Sequence, residues 1–371
     1  MTRHTVPVAR ILGISIGLDY SWFLIFVLFT WMLATGYYPA ALPTGSRAED
    51  WTLGAVSALM LFVCVLLHEL GHSVVAMHYK IPVRAITLFL FGGVSQIEGE
   101  PPSAAAEFWI AIAGPAVSGL LAVIFALLRP LAAPPPLLAL TNYLAYLNGA
   151  LAIFNLIPGF PLDGGRVLRA ILWASTHSLR KATLIAATVG RAVGFLFIVW
   201  GVAQILSGQL GNGLWILLVG WFLESAAGAQ AQQQVVGNLL TGHTASEAMS
   251  AHYARVPATT DLQSLVDQHI LGSGNRTVVV TRGDDVVGLA TVHQVASVPQ
   301  ERWRATSVGD TMTPIARVKQ IRPTTGLWEA MVEMDRDGVN QLPVTDNGRM
   351  LGMLTRADVI GYLRTLQELG R

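Results

Sequence analysis

The sequence predicts a polytopic α-helical membrane protein that ends in a smaller soluble α/β domain. Of its 371 residues, 53% are hydrophobic and only 13% are charged, whereas soluble domains carry about a quarter charged residues. The apolar residues form long runs before about Gln230. Beyond that point, short alternating segments and an internal repeat are typical of a soluble domain. We therefore expect a membrane domain over residues 1–235 and two repeat units over 242–299 and 306–367.

Six apolar runs predict membrane-spanning helices, each of which needs about twenty mainly apolar residues. A short amphipathic helix, Val167–Trp173, is predicted between the fourth and fifth spans. The predicted spans are Tyr20–Leu33, Leu53–Met77, Phe108–Leu128, Leu137–Ile157, Ala182–Leu206 and Leu214–Ala227.

Positively charged residues predict the orientation, because Lys and Arg concentrate in cytoplasmic loops. They precede the first predicted span and follow the second and the fourth. An even number of spans also returns the chain to its starting side. We therefore expect a cell-membrane protein with both termini and the repeat domain in the cytoplasm. The residues that carry this argument are Arg3, Arg10, Lys80, Arg84, Arg166, Arg169, Arg180 and Lys181.

A β-hairpin is predicted between the second and third spans, over Thr87–Ile97. Two β-prone pieces flank the pair Gly92-Gly93, which favours a turn. Non-helical backbone at membrane depth is tolerated only where it is buried in protein or lines a wet cavity. The hairpin is therefore either re-entrant beside an active site or interfacial.

The segment His68-Glu69-Leu70-Gly71-His72 lies inside the second predicted span. Two histidines four residues apart on a helix share one face and can bind one zinc ion, with the intervening glutamate as general base. Ionisable groups inside a spanning segment are costly and usually mark function. The sequence therefore predicts a zinc site with Glu69 as general base. The structural alternative is a pair of buried, hydrogen-bonded histidines and a glutamate that reaches the interface.

A catalytic zinc needs a third protein ligand and an open position. His78 lies about two turns beyond His72, and His177 follows the amphipathic segment. Asp163 fits better, because prolines and glycines break the fourth span just before it, on the same cytoplasmic half. The alternative role for Asp163 is to cap the helix that follows. Asn155, one turn before the break, either donates to a substrate carbonyl or satisfies the freed backbone.

The two motifs together resemble the site-2 protease family of membrane metalloproteases. They are His68–His72 and Asn155…Pro158…Pro161-Leu162-Asp163-Gly164-Gly165. The resemblance extends over nearly the whole chain and includes the Gly92-Gly93 hairpin and Ala113-Gly114-Pro115 in the third span.

This resemblance implies one zinc ion on His68, His72 and Asp163, with Glu69 as the base and Asn155 at the substrate. It implies substrates that are single-span membrane proteins whose helix unwinds locally. The hairpin would then present or guide the extended strand. No separate peptide-binding domain is visible between the spans to select substrates by size.

The C-terminal repeat has a period of roughly 64 residues and resembles paired CBS domains, which implies an adenine-nucleotide sensor. Family units often end in Gly-x-Ser/Thr-x-x-Asp, and the second unit keeps this as Gly352, Thr355 and Asp358. The first unit has Gln294 where the aspartate is expected. At most one nucleotide site is therefore expected. A ligand-free module that joins two copies of the chain is the alternative.

The main rival is a CBS-regulated membrane transporter or channel that uses the histidines as a metal path. Such a protein would distribute polar residues along several spans, whereas here they cluster at His68–His72 and Asp163. The net charge of +1 argues against a nucleic-acid partner, which needs a clustered basic face. The single cysteine, Cys64, excludes an intramolecular disulfide.

Overall fold

The computed structural model describes residues 5–90, 92–97, 99–131 and 134–369. Arg3, used in the orientation argument, and Phe91, within the predicted hairpin, lie outside these residues. Internal contacts divide the chain into two units, Met1–Gln234 and Val235–Arg371.

In the described part of the chain, eight α-helices contain the predicted spans, although the fourth helical span ends at Asn155 and not at Ile157. Serine caps start three of them. Ser46 Oγ accepts from the N–H of Glu49 and Ser103 Oγ from that of Ala106, both at 3.2 Å, and Ser178 Oγ accepts from the N–H of Lys181 at 3.3 Å. The helices are α1 (Tyr20–Met32), α2 (Tyr38–Ala41), α3 (Arg47–His78), α4 (Ala104–Leu128), α5 (Pro135–Asn155), α6 (Asp163–Thr176), α7 (Leu179–Leu206) and α8 (Leu210–Leu240).

Within the described residues, six helical segments are long and apolar enough to cross a membrane, which confirms the predicted number. The first continues beyond Leu33 through a π-helical turn to Ala41. The last continues beyond Ala227 to Leu240. The predicted span is shorter than the helix because the residues after Ala227 are not strongly apolar. The alanines and glutamines among them are nevertheless good helix formers, so the helix continues.

The predicted hairpin is one half of a four-stranded sheet. The strands of this sheet are β1 (Thr5–Ile11), β2 (Ile14–Asp19), β3 (Val83–Phe89) and β4 (Gly92–Ile97). They lie in the order β1-β2-β3-β4, with β2 and β3 parallel and the other pairs antiparallel. The sequence does not predict β1 and β2, because the first membrane span begins directly after them.

Apolar side chains of the central strands seat the sheet on the membrane helices. Ile16 of β2 and Ile86 of β3 are buried in one cluster with Trp22 of α1 and Phe62 of α3. This packing brings the edge strand β4 alongside α3, where Ser95 of β4 contacts Glu69 within the histidine motif.

The second unit contains the two predicted repeats. Each has a β-hairpin followed by a helix, and each helix begins at a threonine, Thr291 or Thr355, in a capping box. The strands are β5 (Arg255–Pro257), β6 (Thr277–Arg282), β7 (Asp285–Thr291), β8 (Thr313–Pro314), β9 (Gln341–Asp346) and β10 (Arg349–Thr355). The helices are α9 (Ala245–Ala248), α10 (Leu262–Ser264), α11 (Val292–Ala296), α12 (Val308–Thr311), α13 (Leu327–Asp337) and α14 (Arg356–Glu368).

One element of the predicted repeat is missing from its second copy. The first repeat opens with strand β5, but the equivalent segment of the second makes only a single bridge, between Ile321 and Val344. Pro323 follows two residues later and has no N–H to extend the ladder. Among the described residues, the second repeat therefore opens with this single bridge and not with a strand.

Candidate metal centre and active site

His68 and His72 lie one turn apart on α3 and point into the protein. Each is only 4% exposed, and their Nε2 atoms are 3.2 Å apart. This convergence follows from the four-residue spacing, because residues i and i+4 of an α-helix lie on one face.

The carboxylate of Asp163 completes the group. Its Oδ2 atom is 3.0 Å from Nε2 of His68 and 3.2 Å from Nε2 of His72. The cap of α6 is Leu162, one residue earlier, so the Asp163 carboxylate faces the histidines instead of capping the helix. One ligand atom from each of the three residues lies within 4.8 Å of the others, and no other described residues form such a group. His78 and His177 are not part of it.

The outer nitrogens of both rings are hydrogen-bonded. Nδ1 of His72 lies 2.7 Å from the carbonyl oxygen of Ile110. Because a carbonyl can only accept, Nδ1 carries the proton and Nε2 of the neutral ring keeps its lone pair. Nδ1 of His68 pairs with the hydroxyl of Ser118 at 2.8 Å. Two imidazole nitrogens turned towards one carboxylate oxygen fit a catalytic zinc ion, with a fourth position left for water.

Gly114 of α4 lets the helix pass directly beside this group. A Cβ atom at Gly114 would collide with Nε2 of His72 and would lie 2.6 Å from Nε2 of His68. Any larger residue would therefore occupy the space of the two imidazole rings. The central glycine of the Ala113-Gly114-Pro115 motif is therefore required for steric reasons.

The glycine pair after Asp163 sets the position of its carboxylate. A Cβ at Gly164 would collide with the backbone of Leu156 and Ile157, and one at Gly165 with the backbone of Gly159. The start of α6 is thus packed tightly under the end of α5. This close approach brings Asp163 to α3.

Glu69 is contacted by strand β4. The hydroxyl of Ser95 donates to Oε2 of Glu69 at 2.6 Å, and a Cβ at Gly93 would lie 2.5 Å from Cγ of Glu69. Ser95 is not among the site residues that the sequence predicts. The only sequence signal for it is its place in a hairpin that is expected to be either re-entrant beside the site or interfacial.

Asn155 does not join the metal-ligand group. Its amide nitrogen donates to the carbonyl of Leu151 in its own helix at 3.1 Å. This bond is of the kind expected where a helix ends. The substrate-binding role of Asn155 stays a prediction.

A buried ion pair ties α6 to α4. Glu107 is fully buried, and Nε of Arg169 donates to its Oε1 at 2.6 Å. The sequence predicts Arg169 only as an orientation signal and does not predict a role for Glu107. The signal that could have identified Glu107 is its charge at the start of an apolar run.

In the second unit, the two residues predicted to bind a nucleotide are hydrogen-bonded to each other. Thr355 Oγ1 donates to Oδ2 of Asp358 at 2.6 Å, and the N–H of Asp358 donates to Thr355 Oγ1 at 3.1 Å. Gln294 forms the same kind of box with Thr291 in the first repeat. The first repeat therefore keeps its helix cap although Gln294 stands where the motif has an aspartate.

Comparison with known proteins covers both units. The sequence model of peptidase family M50 matches residues 56–134 and 131–199, and that of the CBS domain matches residues 308–365. A candidate zinc metalloprotease of Synechocystis sp., sll0528, is 34% identical over 98% of this chain and 96% of its own length. The chain belongs to peptidase family M50.

Other comparisons agree with this membership. Rip3 of Mycobacterium tuberculosis, also named as a candidate zinc metalloprotease, is 34% identical over 96% of this M50 peptidase and 92% of its own length. The solved site-2 protease from Methanocaldococcus jannaschii is 30% identical, covers 62% of this chain and 95% of its own, and superposes with a TM-score of 0.43. The family model and the two metalloprotease relatives confirm the predicted resemblance to site-2 proteases. This M50 peptidase is a multi-pass membrane zinc metalloprotease that acts within the membrane and carries a C-terminal CBS domain.

Proposed function

We propose that this M50 peptidase cleaves the transmembrane segments of other membrane proteins with one zinc ion held by His68, His72 and Asp163. Glu69 is the general base. The observation that carries the proposal is the convergence of these three ligand atoms within 4.8 Å, on helices of a membrane domain. The transporter alternative has less support, because the relatives are named as metalloproteases.

The protein's own residues have separate tasks in this mechanism. When bound, zinc supplies a Lewis acid that polarises the scissile carbonyl and makes water more acidic. The carboxylate of Glu69 accepts the proton of the attacking water and passes it to the nitrogen of the leaving amine. Ser118 and the Ile110 carbonyl hold the two imidazole rings in place. The Asn155 amide becomes available to a substrate carbonyl once it releases Leu151.

The position of β4 supports a specific class of substrate. A helical segment hides its carbonyls in i to i−4 hydrogen bonds and must unwind before cleavage. In the described sheet β4 is an edge strand, and an extended peptide can add to such an edge by backbone hydrogen bonds. We therefore infer that substrates are single-span membrane proteins with helix-breaking residues near the cut. A membrane-bound signalling regulator is a candidate of this kind.

The orientation completes the proposal. Lys80, Arg84, Arg180 and Lys181 favour a cytoplasmic location for the C-terminal end of α3 and the start of α7. Both termini and the CBS units, over residues 242–299 and 306–367, are then cytoplasmic. Water reaches the zinc from that side.

For the second unit we propose an adenine-nucleotide site at Thr355 and Asp358, and a homodimer formed through the CBS units. The support is the Gly352-x-x-Thr355-x-x-Asp358 pattern at the end of β10. Calorimetric titration of the full chain with AMP and ATP should show saturable binding that Asp358→Ala abolishes. Binding of neither nucleotide would favour the ligand-free dimerising module.

A fragment comparison tests the proteolytic function. Membrane-protein fragments are compared between cells that carry the wild type and cells that carry Glu69→Gln. We expect specific cytoplasmic fragments to vanish in the variant while their membrane-bound precursors accumulate. Identical fragment patterns at equal expression would contradict the proposal.

A further inference from the structure

The carboxylate of Glu69 is held by the edge strand of the sheet. Ser95 Oγ donates to Oε2 of Glu69 at 2.6 Å and lies 3.4 Å from the backbone oxygen of the same residue. Ser73, one turn further along α3, already donates to that backbone oxygen at 2.8 Å. Ser95 is therefore the contact that fixes the carboxylate itself.

The strand around Ser95 is packed against the helices at Gly93 on one side of Ser95 and at Ile97 on the other. Gly93, Ser95 and Ile97 alternate with the exposed residues Val94 and Gln96, as a β-strand requires. The backbone at Gly93 lies so close to Glu69 that an added Cβ would be 2.5 Å from Cγ and 3.1 Å from Oε1.

Ile97 anchors the other end of this face. It packs against the buried residues Ala76 of α3 and Ile110 of α4. Ile110 is also the residue whose carbonyl accepts from His72. The strand, the base and one metal ligand are thus connected through a single packed region.

We propose that Ser95 is a positioning residue for the general base, and that β4 connects substrate binding to the orientation of Glu69. The proposal rests on the proteolytic function above. A glutamate side chain turns about several bonds, and a hydrogen bond from Ser95 to Oε2 removes most of that freedom. Oε1 is left to accept the proton of water. Holding a reacting group in its productive geometry before the reaction lowers the barrier.

The two sides of β4 have complementary tasks in this arrangement. Its side chains on one face hold Glu69, while its outer backbone edge pairs with no strand among the described residues. An extended substrate segment that adds to this edge stiffens the strand that carries Ser95. The base is then best ordered when a substrate is bound.

Steady-state kinetics of the purified full-length chain test the proposal. The probe is a fluorogenic peptide with a single apolar span that glycine and proline interrupt. Ser95→Ala should lower kcat about tenfold or more, because it removes a hydrogen bond to a charged group. KM should change by less than about twofold, and the zinc content should stay at the wild-type level. Ser95→Thr keeps the hydroxyl and should restore most of kcat.

A second variant perturbs the Glu69 side chain through its other contact in β4, the backbone of Gly93. Gly93→Ala should displace Glu69 and lower kcat with zinc still bound. Wild-type kcat in Ser95→Ala would overturn the proposal. So would a loss of activity that parallels loss of zinc, or a Ser95→Thr variant no better than Ser95→Ala.

Glu69→Gln, measured in parallel, separates this proposal from the function on which it rests. If Glu69→Gln is inactive while Ser95→Ala is fully active, only the role of Ser95 is wrong. If Glu69→Gln cleaves the peptide like the wild type, the assignment of the general base is wrong.

Discussion

The hydroxyl of Ser118 lies 2.8 Å from Nδ1 of His68, and both side chains are buried between α3 and α4. When Nε2 of His68 binds zinc through its lone pair, Nδ1 carries the ring proton and donates a hydrogen bond to the Ser118 hydroxyl. This bond holds the orientation of the ring. Partners of this kind raise the basicity of a metal-binding histidine.

Ser118→Ala should therefore weaken zinc binding by roughly ten- to a hundredfold. Competition with a chelator, followed by measurement of protein-bound zinc, gives the affinity. Ser73→Ala is the matched control, because Ser73 is equally buried and contacts neither histidine. Equal zinc affinity in the two variants would show that Ser118 does not support His68.

Gly114→Ala should lower zinc occupancy while the helices stay folded. The added methyl group would collide with Nε2 of His72 and crowd that of His68. Circular dichroism and zinc content measure the two effects. Gly119→Ala, on the same helix, adds its methyl group in open space and should keep zinc. If Gly114→Ala also keeps a full complement of zinc, α4 does not pass as close to the two histidines as described.

Breaking the Glu107–Arg169 pair should destabilise the membrane domain. Arg169→Ala leaves the buried Glu107 carboxylate without its partner, at a cost of about 3–5 kcal/mol. Thermal unfolding in detergent should show this loss, and the double variant Glu107→Ala/Arg169→Ala should recover part of it. Lys319→Ala breaks a more exposed pair with Glu333 and should cost less than about 1 kcal/mol. A double variant no more stable than Arg169→Ala would contradict the coupling.

Asp163→Asn and Asn155→Ala should separate metal binding from substrate binding. Asp163→Asn removes the charged ligand and should lose zinc, and with it cleavage. Asn155→Ala should keep zinc but cleave more slowly, because the Asn155 amide contacts Leu151 and not the ligand group. Loss of zinc in Asn155→Ala would assign Asn155 to the metal site instead.

Much of this architecture could be predicted because its signals are local. Long apolar runs identify the six spans, and the spacing of His68 and His72 places both rings on one helical face. Asp163 was found because the glycines and prolines before it end a helix at the right depth. Each of these arguments needs only neighbouring residues.

What was missed depends on contacts between distant segments. The parallel pairing of β2 with β3 joins residues about seventy positions apart, such as Ile16 and Ile86. Ser118 and Ser95 reach His68 and Glu69 only through the crossing of α4 and the seating of β4. A serine carries no pattern that reveals its partner in advance.

The measurement that tests the central claim most directly compares Glu69→Gln with the wild type for zinc content and cleavage together. Both purified chains are assayed for bound zinc and for hydrolysis of the same single-span peptide. We predict one zinc per chain in each and a loss of cleavage of roughly a hundred- to ten-thousandfold in the variant. A zinc-loaded Glu69→Gln variant that cleaves like the wild type would contradict the account.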